Sequence, residues 1–109
     1  MWIFLNDAFL SIVADRNDPG RLLVRARIEG DIERVFPSAR VKKTPTADYL
    51  YRASISRADV AAALLDRVTS IGYPNFKDSV SNPERHDDYF EVWHVMYRAQ
   101  GRQPEGGAL

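Results

Sequence analysis

The chain has 109 residues, with 15 basic side chains, 15 acidic side chains and no cysteine. The neutral total argues against the whole-molecule positive field of proteins that bind nucleic acid or anionic membranes, and the absence of cysteine excludes disulfides, thiolate metal sites and cysteine nucleophiles. With 45% hydrophobic residues, the chain is long enough for one core, and we expect a single domain over residues 1–100 in the reducing cytoplasm.

Residues 2–14 predict a β-hairpin. Segments 2–5 and 8–14 are rich in aromatic and branched side chains, and Asn6-Asp7 between them is typical of a tight two-residue turn. Such a turn pairs Leu5 with Ala8, Phe4 with Phe9 and Ile3 with Leu10. Because the first segment lacks a basic start and is interrupted by Asn6-Asp7, we expect neither a signal peptide nor a membrane span.

Strand alternation makes both faces of this hairpin apolar. Ile3, Leu5, Leu10 and Ile12 share one face, which can pack on helices. The other face must be covered by the segment from Tyr73 to Val80, by a second copy of the chain or by a different protein. We therefore predict a partner-binding surface with an apolar centre and a basic rim, formed by Trp2, Phe4, Phe9, Val13, Leu23, Arg25 and Arg27.

The middle of the chain predicts three more strands and a short helix. A turn at residues 16–20 leads into an alternating strand over residues 21–28, and residues 30–36 predict one or two helical turns. A weak strand over residues 40–43 and a strand over residues 48–56 follow. In the last strand, alternation places Tyr49 and Tyr51 opposite Arg52.

Two helices end the chain. Ser56 and Asp59 form a capping-box-like pair for the first helix, whose apolar face is predicted at Val60, Leu64, Val68 and Ile71, with Ala61 and Leu65. Asn82-Pro83-Glu84 is typical of a second helix start. Its apolar stripe is expected to pack on the sheet: Tyr89, Val92, Trp93, Met96 and Tyr97. From Gly101 onward we predict a disordered tail over residues 101–109.

These elements predict an α+β fold. Short loops and hairpin turns favour an antiparallel sheet of about five strands, in the order βββαββαα. Helices on one face of that sheet give a single-domain, two-layer sandwich.

Several stretches resemble one group of proteins: Met1-Trp2, residues 23–27, residues 75–80, and His86 through Val92-Trp93 to Met96-Tyr97. With these stretches the chain is similar, over nearly its whole length, to small uncharacterised bacterial and phage-type proteins. No activity is known for that group, so the resemblance implies no site, cofactor or mechanism.

One polar span contains the ingredients of an activated nucleophile. Asp78, Ser79 and His86 supply a carboxylate, a hydroxyl and a base within a short distance along the chain. No elbow motif surrounds Ser79, and the residue types also suit turns and helix caps. A small hydrolase or transferase that uses these three residues is therefore an alternative, and we expect no catalytic residue.

Metal and cofactor signals are weak. On a helix, His86 and His94 would point about 80° apart, which favours a solvated helix face over a metal site. No glycine spacing matches a loop that binds a nucleotide. We expect no metal and no cofactor.

Basic residues on neighbouring strands predict a local positive patch: Arg25, Arg27, Arg40, Lys42 and Arg52. Because Tyr49 and Tyr51 are expected on the opposite face, they cannot stack on RNA bases there, and nucleic-acid binding is disfavoured. The leading hypothesis is a non-enzymatic interaction or regulatory protein that binds a protein partner or forms a homodimer. The alternative is binding of acidic partners, including nucleic acid, through the basic strand face.

Overall fold

The structure is a computed structural model and describes residues 1–104. The chain divides into two compact units, residues 1–72 and the residues from Tyr73 onward, and each is described by itself. The secondary structure confirms the predicted α+β class and the order βββαββαα over the described residues. One domain spanning residues 1–100 stays a prediction.

In residues 1–72, five strands form one antiparallel sheet in the order β1-β2-β3-β5-β4. The strands are β1 (Trp2–Leu5), β2 (Ala8–Ala14), β3 (Arg21–Ala26), β4 (Lys42–Lys43) and β5 (Tyr51–Ser56). The hairpin register is the predicted one, with Leu5 opposite Ala8, Phe4 opposite Phe9 and Ile3 opposite Leu10.

One face of the sheet carries the hydrophobic core. Helices α1 (Asp31–Val35) and α2 (Arg57–Thr69) pack on this face, which gives the predicted two layers. The buried core consists of Ala8, Leu10, Ile12, Val24, Ala26, Ile32, Val35, Phe36, Ala53, Ile55 and Val60, and Ile3, Leu5 and Leu22 pack against it. The sheet residues in this set alternate along each strand, so the opposite face, here called the outer face, is separate from the core.

A buried carboxylate joins α1 to the hairpin. Gly30 adopts φ 91°, a left-handed conformation that suits glycine, and the chain then enters α1. Asp31 is fully buried, accepts a hydrogen bond from the backbone N–H of Phe9 at 3.0 Å and pairs with Arg34 at 2.7 Å. These bonds compensate part of the cost of burying the charge and fix α1 against β2.

The cap of α2 is the predicted one, but the buried face of the helix differs from the prediction. The Ser56 hydroxyl accepts a hydrogen bond from the Asp59 N–H at 3.1 Å. Val60 is buried and Leu64 packs against the core, as predicted, whereas Ala61, Leu65, Val68 and Ile71 are exposed. The physical reason is an ion pair: Arg67 donates to both carboxylate oxygens of Asp7, at 2.8 and 3.1 Å, so the side of α2 that carries Arg67 faces the hairpin turn.

Two strands are shorter than predicted. β3 ends at Ala26 because residues 28–31 form a turn, closed by the Asp31 N–H donating to the Ile28 carbonyl at 3.3 Å. β5 begins at Tyr51 because residues 44–50 form a second turn, closed by a 2.7 Å bond from the Thr44 N–H to the Leu50 carbonyl. Tyr49 therefore lies outside the strand, and alternation along β5 does not determine its direction.

The second unit contains a 3-10 helix (Lys77–Ser79) and helix α3 (Pro83–Gly101). The Asn82 side chain caps α3 by accepting from the Arg85 N–H at 2.9 Å, as predicted. The ring of Phe76 stacks on Tyr89 at 5.8 Å, and Lys77 Nζ lies 4.9 Å from the Trp93 ring. These contacts hold Phe76 and Lys77 against α3.

Four of the five residues in the predicted apolar stripe of α3 are exposed, which corrects the prediction that the whole stripe is buried. Tyr89 is buried, but Val92, Trp93, Met96 and Tyr97 are exposed. Helical periodicity identified a continuous apolar face without specifying what would cover it.

Most of the predicted C-terminal tail lies outside the residues that the structure describes. Gly101 is the last residue of α3, and residues 105–109 of the predicted disordered tail lie outside the described residues. None of the helices in residues 1–104 combines the length and the apolar composition of a membrane span.

The Asp7–Arg67 pair should make stability depend on pH. Burial acts to raise the pKa of Asp7, but the hydrogen bonds and charge of Arg67 outweigh it and hold the pKa below its ordinary value of 3.8. A carboxyl with a lowered folded pKa contributes stability above its unfolded pKa, and that stability is lost as the pH falls through the folded pKa. Because Asp7 is partly exposed, Asp7→Asn should lower the free energy of unfolding at neutral pH by only about 0.5–1 kcal/mol.

Urea unfolding at neutral and acidic pH checks this prediction. The difference between wild type and Asp7→Asn should shrink as the pH falls. Asp88→Asn is the control, since Asp88 is exposed and forms no ion pair among the described residues. A difference that stayed constant with pH would contradict the assignment.

The different burial of Leu10 and Trp93 predicts that replacing each with alanine will lower the free energy of unfolding by different amounts. Leu10 is fully buried, so Leu10→Ala should cost about 2–5 kcal/mol of unfolding free energy. Trp93 is 44% exposed, and Trp93→Ala should cost about 1 kcal/mol or less. Denaturant unfolding of both variants checks the order, and equal losses would show that Trp93 belongs to a core.

Candidate functional site

The outer face carries one row of side chains that crosses all five strands of residues 1–72. Trp2 lies opposite Ser11, Ser11 opposite Arg25, Arg25 opposite Arg52, and Arg52 opposite Lys42. This outer row therefore starts with an indole ring on β1 and ends with three cationic side chains on β3, β5 and β4. Neighbouring strands are about 4.8 Å apart, so the three cations form one continuous strip.

The apolar end of the outer face is a cluster of aromatic rings. The rings of Phe4 and Phe9 stack at 4.6 Å, and Trp2 meets Phe9 edge to face at 6.2 Å. Trp2 is 67% exposed. The register places the predicted partner-binding residues of the strands on this one face, and Arg27, which follows β3, joins them through the ring of Tyr49.

Tyr49 lies on the basic side of the sheet, which corrects the prediction that it faces away from the arginines. Its ring lies 4.6 Å from the guanidinium carbon of Arg25 and 4.1 Å from that of Arg27. Tyr49 is buried, so the two guanidinium groups cover its ring. Cation–π contacts of this kind hold arginine side chains in place against an aromatic surface.

Arg25 of the outer row donates to a buried hydroxyl. Its Nη2 donates to the hydroxyl of Ser11 at 2.7 Å, and Ser11 is itself buried. The Nε atom of Arg25 is also buried and has no hydrogen-bond partner among the described residues. Ser11 therefore provides an acceptor for a guanidinium whose Nε is shielded from water while the side chain as a whole is half-buried.

Acidic groups neutralise only part of the positive charge on the outer face. Arg52 pairs with Asp48 at 3.4 Å, and Arg27 donates to the Asp48 backbone carbonyl at 2.9 Å. Arg25 lies directly opposite Arg52, and like charges in that position repel each other. Among the described residues, Arg25, Arg27 and Lys42 form no ion pair, so the outer face retains a local excess of positive charge although the chain is neutral.

The residues of the hydrolase alternative make structural contacts. Ser79 donates its hydroxyl hydrogen to the Phe76 carbonyl within the 3-10 helix. His86 stacks on Phe90, and its Nδ1 lies 3.4 Å from an Asp87 carboxylate oxygen. These contacts do not form the hydroxyl–imidazole pair that an activated serine requires.

The two histidines lie on α3 and contact the same ring. His94 meets Phe90 edge to face at 4.6 Å, whereas His86 stacks on it at 6.5 Å. Within residues 1–104, no group of three or more histidine, cysteine, aspartate or glutamate side chains is placed to hold a metal ion. Both histidine rings contact the ring of Phe90 on α3.

A cleft that the sequence did not predict lies beside β5. Its volume is about 480 Å³, within the usual range of ligand pockets. Its lining residues are Arg21, Val35, Phe36, Pro37, Ser38, Ala39, Arg40, Ser54, Ile55, Ser56, Asp59 and Ala63. The available sequence signal was the weakness of the fourth strand, since a short β4 leaves part of β5 without a neighbour.

Three comparisons with known proteins add no family or function. No family model, no curated protein and no solved structure matches the chain. Function must therefore be inferred from the chemistry of the surfaces described above.

The contact between Ser11 and Arg25 generates a stability prediction. Ser11→Ala removes an acceptor from a guanidinium that already has a buried unpaired N–H, and should lower the free energy of unfolding by about 1–2 kcal/mol. Adding Arg25→Met should recover part of that loss, because methionine removes the buried charge and still covers the Tyr49 ring. Denaturant unfolding of the single and double variants checks this, and an additive loss would contradict it.

Proposed function

We propose that this protein is a non-enzymatic interaction protein that binds an acidic protein partner through the outer face of its sheet. The partner presents carboxylates to Arg25, Arg27, Arg52 and Lys42 and an apolar side chain to Trp2 and Phe9. The observation that carries the proposal is the register of the outer row, which joins an exposed indole to three cations in one line.

Charge supports a carboxylate-bearing partner. Of the four cationic side chains on the outer face, Arg52 pairs with the Asp48 carboxylate, and the other three form no ion pair among the described residues. Arginine forms paired hydrogen bonds with carboxylates, and Tyr49 holds the guanidinium groups of Arg25 and Arg27 in place before binding. Such preorganisation reduces the entropy lost when the complex forms.

The aromatic residues support a protein over a nucleic acid. A sheet that binds single-stranded RNA offers open ring faces on which bases stack. Here the Tyr49 ring is covered by two guanidinium groups, and Phe4 and Phe9 stack on each other. Trp2 and Phe9 suit an apolar side chain at the centre of a protein interface.

Two further features support the non-enzymatic and cytoplasmic parts of the proposal. Ser79 and His86 make separate structural contacts, which gives the hydrolase alternative no support. The absence of cysteine from the sequence suits the reducing cytoplasm.

Selection from a random peptide display library tests the proposal without a known partner. Peptides that bind the wild-type protein should be enriched in aspartate and glutamate beside an apolar residue. Lys42→Glu should weaken the binding of a selected peptide by about tenfold. The matched control is Lys43→Glu, which makes the same charge change on the neighbouring residue of β4 but on the other face.

Three outcomes would contradict the proposal. Selected peptides without an excess of acidic residues would remove the electrostatic basis, and equal losses for the two lysine variants would place binding elsewhere. A wild-type homodimer in light scattering that Phe9→Asp dissociates would assign the outer face to a second copy of the chain. Tighter binding of a single-stranded oligonucleotide than of any selected peptide would favour nucleic acid.

A further inference from the structure

The cleft beside β5 exists because β4 is short. Lys42 and Lys43 pair with Arg52 and Tyr51, and β4 does not extend alongside the rest of β5. The segment before β4 turns away instead, through a 3.0 Å hydrogen bond from the Ala39 N–H to the Phe36 carbonyl. Residues 54–56 of β5 therefore form one wall of the cleft.

Backbone groups of β5 point into the cleft. In an antiparallel ladder, successive residues direct their N–H and C=O groups to opposite sides. The Leu50 carbonyl accepts from the Thr44 N–H, on the side of β4, and Arg52 pairs with β4 on that same side. Ser54, two residues after Arg52, directs both of its backbone groups the same way, and Ser56, the N-cap of α2, directs its N–H there, where β4 has ended.

Arg21 donates hydrogen bonds to the carbonyl and to the hydroxyl of Ser54 on this wall. Its Nη2 donates to the Ser54 carbonyl at 2.6 Å and its Nε to the Ser54 hydroxyl at 2.8 Å. The Ser54 hydroxyl in turn donates to Asp15 at 2.6 Å. The backbone N–H groups of Ser54 and Ser56 are left facing the cleft. An added peptide strand needs alternating hydrogen-bond donors and acceptors along the edge of β5. Because this wall offers free donors only, it suits a ligand that only accepts hydrogen bonds.

The charge of the cleft favours an anion with a single charge. Arg40 lines the cleft, is exposed and forms no ion pair among the described residues. The charge of Arg21 is partly balanced by Asp15 beside it. Asp59 also lines the cleft and limits its positive potential, which disfavours a ligand with two negative charges.

Apart from Ser38, the rest of the lining is apolar. Val35, Phe36 and Ile55 are each less than one-tenth exposed, and Ala63 lies beside them. From these features we infer that the cleft binds a small monocarboxylate: its carboxylate accepts from the N–H groups of Ser54 and Ser56 and from Arg40, and its hydrocarbon chain packs on Val35, Phe36 and Ile55. This site is distinct from the outer row and does not depend on an acidic protein partner.

Nuclear magnetic resonance titration with hexanoate tests the inference. Hexanoate at millimolar concentration should shift the backbone amide signals of Ser54 and Ser56 in a saturable manner, while the neutral analogue hexanamide should bind at least about tenfold more weakly. Arg40→Gln should raise the Kd for hexanoate about tenfold, because it removes a charge-assisted hydrogen bond. Asp59→Asn should lower the Kd severalfold, because it removes a repelling carboxylate.

Arg16→Gln is the matched control, because Arg16 is an exposed arginine in a turn and does not line the cleft. It should leave the Kd unchanged. The inference is overturned by hexanoate that leaves Ser54 and Ser56 unshifted, by equal binding of hexanoate and hexanamide, or by Arg40→Gln and Arg16→Gln having the same effect.

Discussion

The register of the N-terminal hairpin is the constraint on which the other features of the sheet depend. Because side chains alternate between the two faces of a strand, a shift of one residue would exchange the core face and the outer face of β1. The two-residue turn at Asn6-Asp7 sets this register, and Asp7 is held by a bidentate ion pair with Arg67 of α2. One acidic side chain thus helps to hold both the turn and the helix that covers the core.

The same register determines the chemistry of the outer face. With Leu10 and Ile12 in the core, Ser11 must face outward, where it accepts from Arg25. Burying part of a guanidinium is costly unless its donors find partners. Ser11 and the ring of Tyr49 supply two of the contacts that Arg25 requires. A positive surface in a chain of zero net charge is therefore held by specific buried contacts rather than by composition.

The sequence was sufficient to predict those features of the fold that depend on residues close together in the chain. The hairpin turn, the Ser56 and Asn82 caps and the alternation in β3 all follow from residue types at short spacing, and the structure confirms them. The predicted partner-binding residues share one face for the same reason. Their role in binding is a separate matter and stays a prediction.

The sequence was insufficient to predict those features that depend on contacts between segments far apart in the chain. Tyr49 lies beside Arg25 and Arg27 because a hydrogen-bonded turn extends over residues 44–50, so that β5 begins at Tyr51 and not at residue 48, where the alternation placed it. The cleft depends on where β4 stops pairing with β5. The apolar stripe of α3 was visible as a period, but its exposure was not.

The two tryptophans of the chain provide the most direct test of where a partner binds. Trp2 is on the outer face and Trp93 is on α3, and each gives one indole N–H signal in a nitrogen-15 correlation spectrum. Addition of a selected acidic peptide should shift the Trp2 indole signal together with the Nε signal of Arg52, while the Trp93 signal stays in place. A shift of Trp93 with Trp2 and Arg52 unchanged would contradict binding at the outer face.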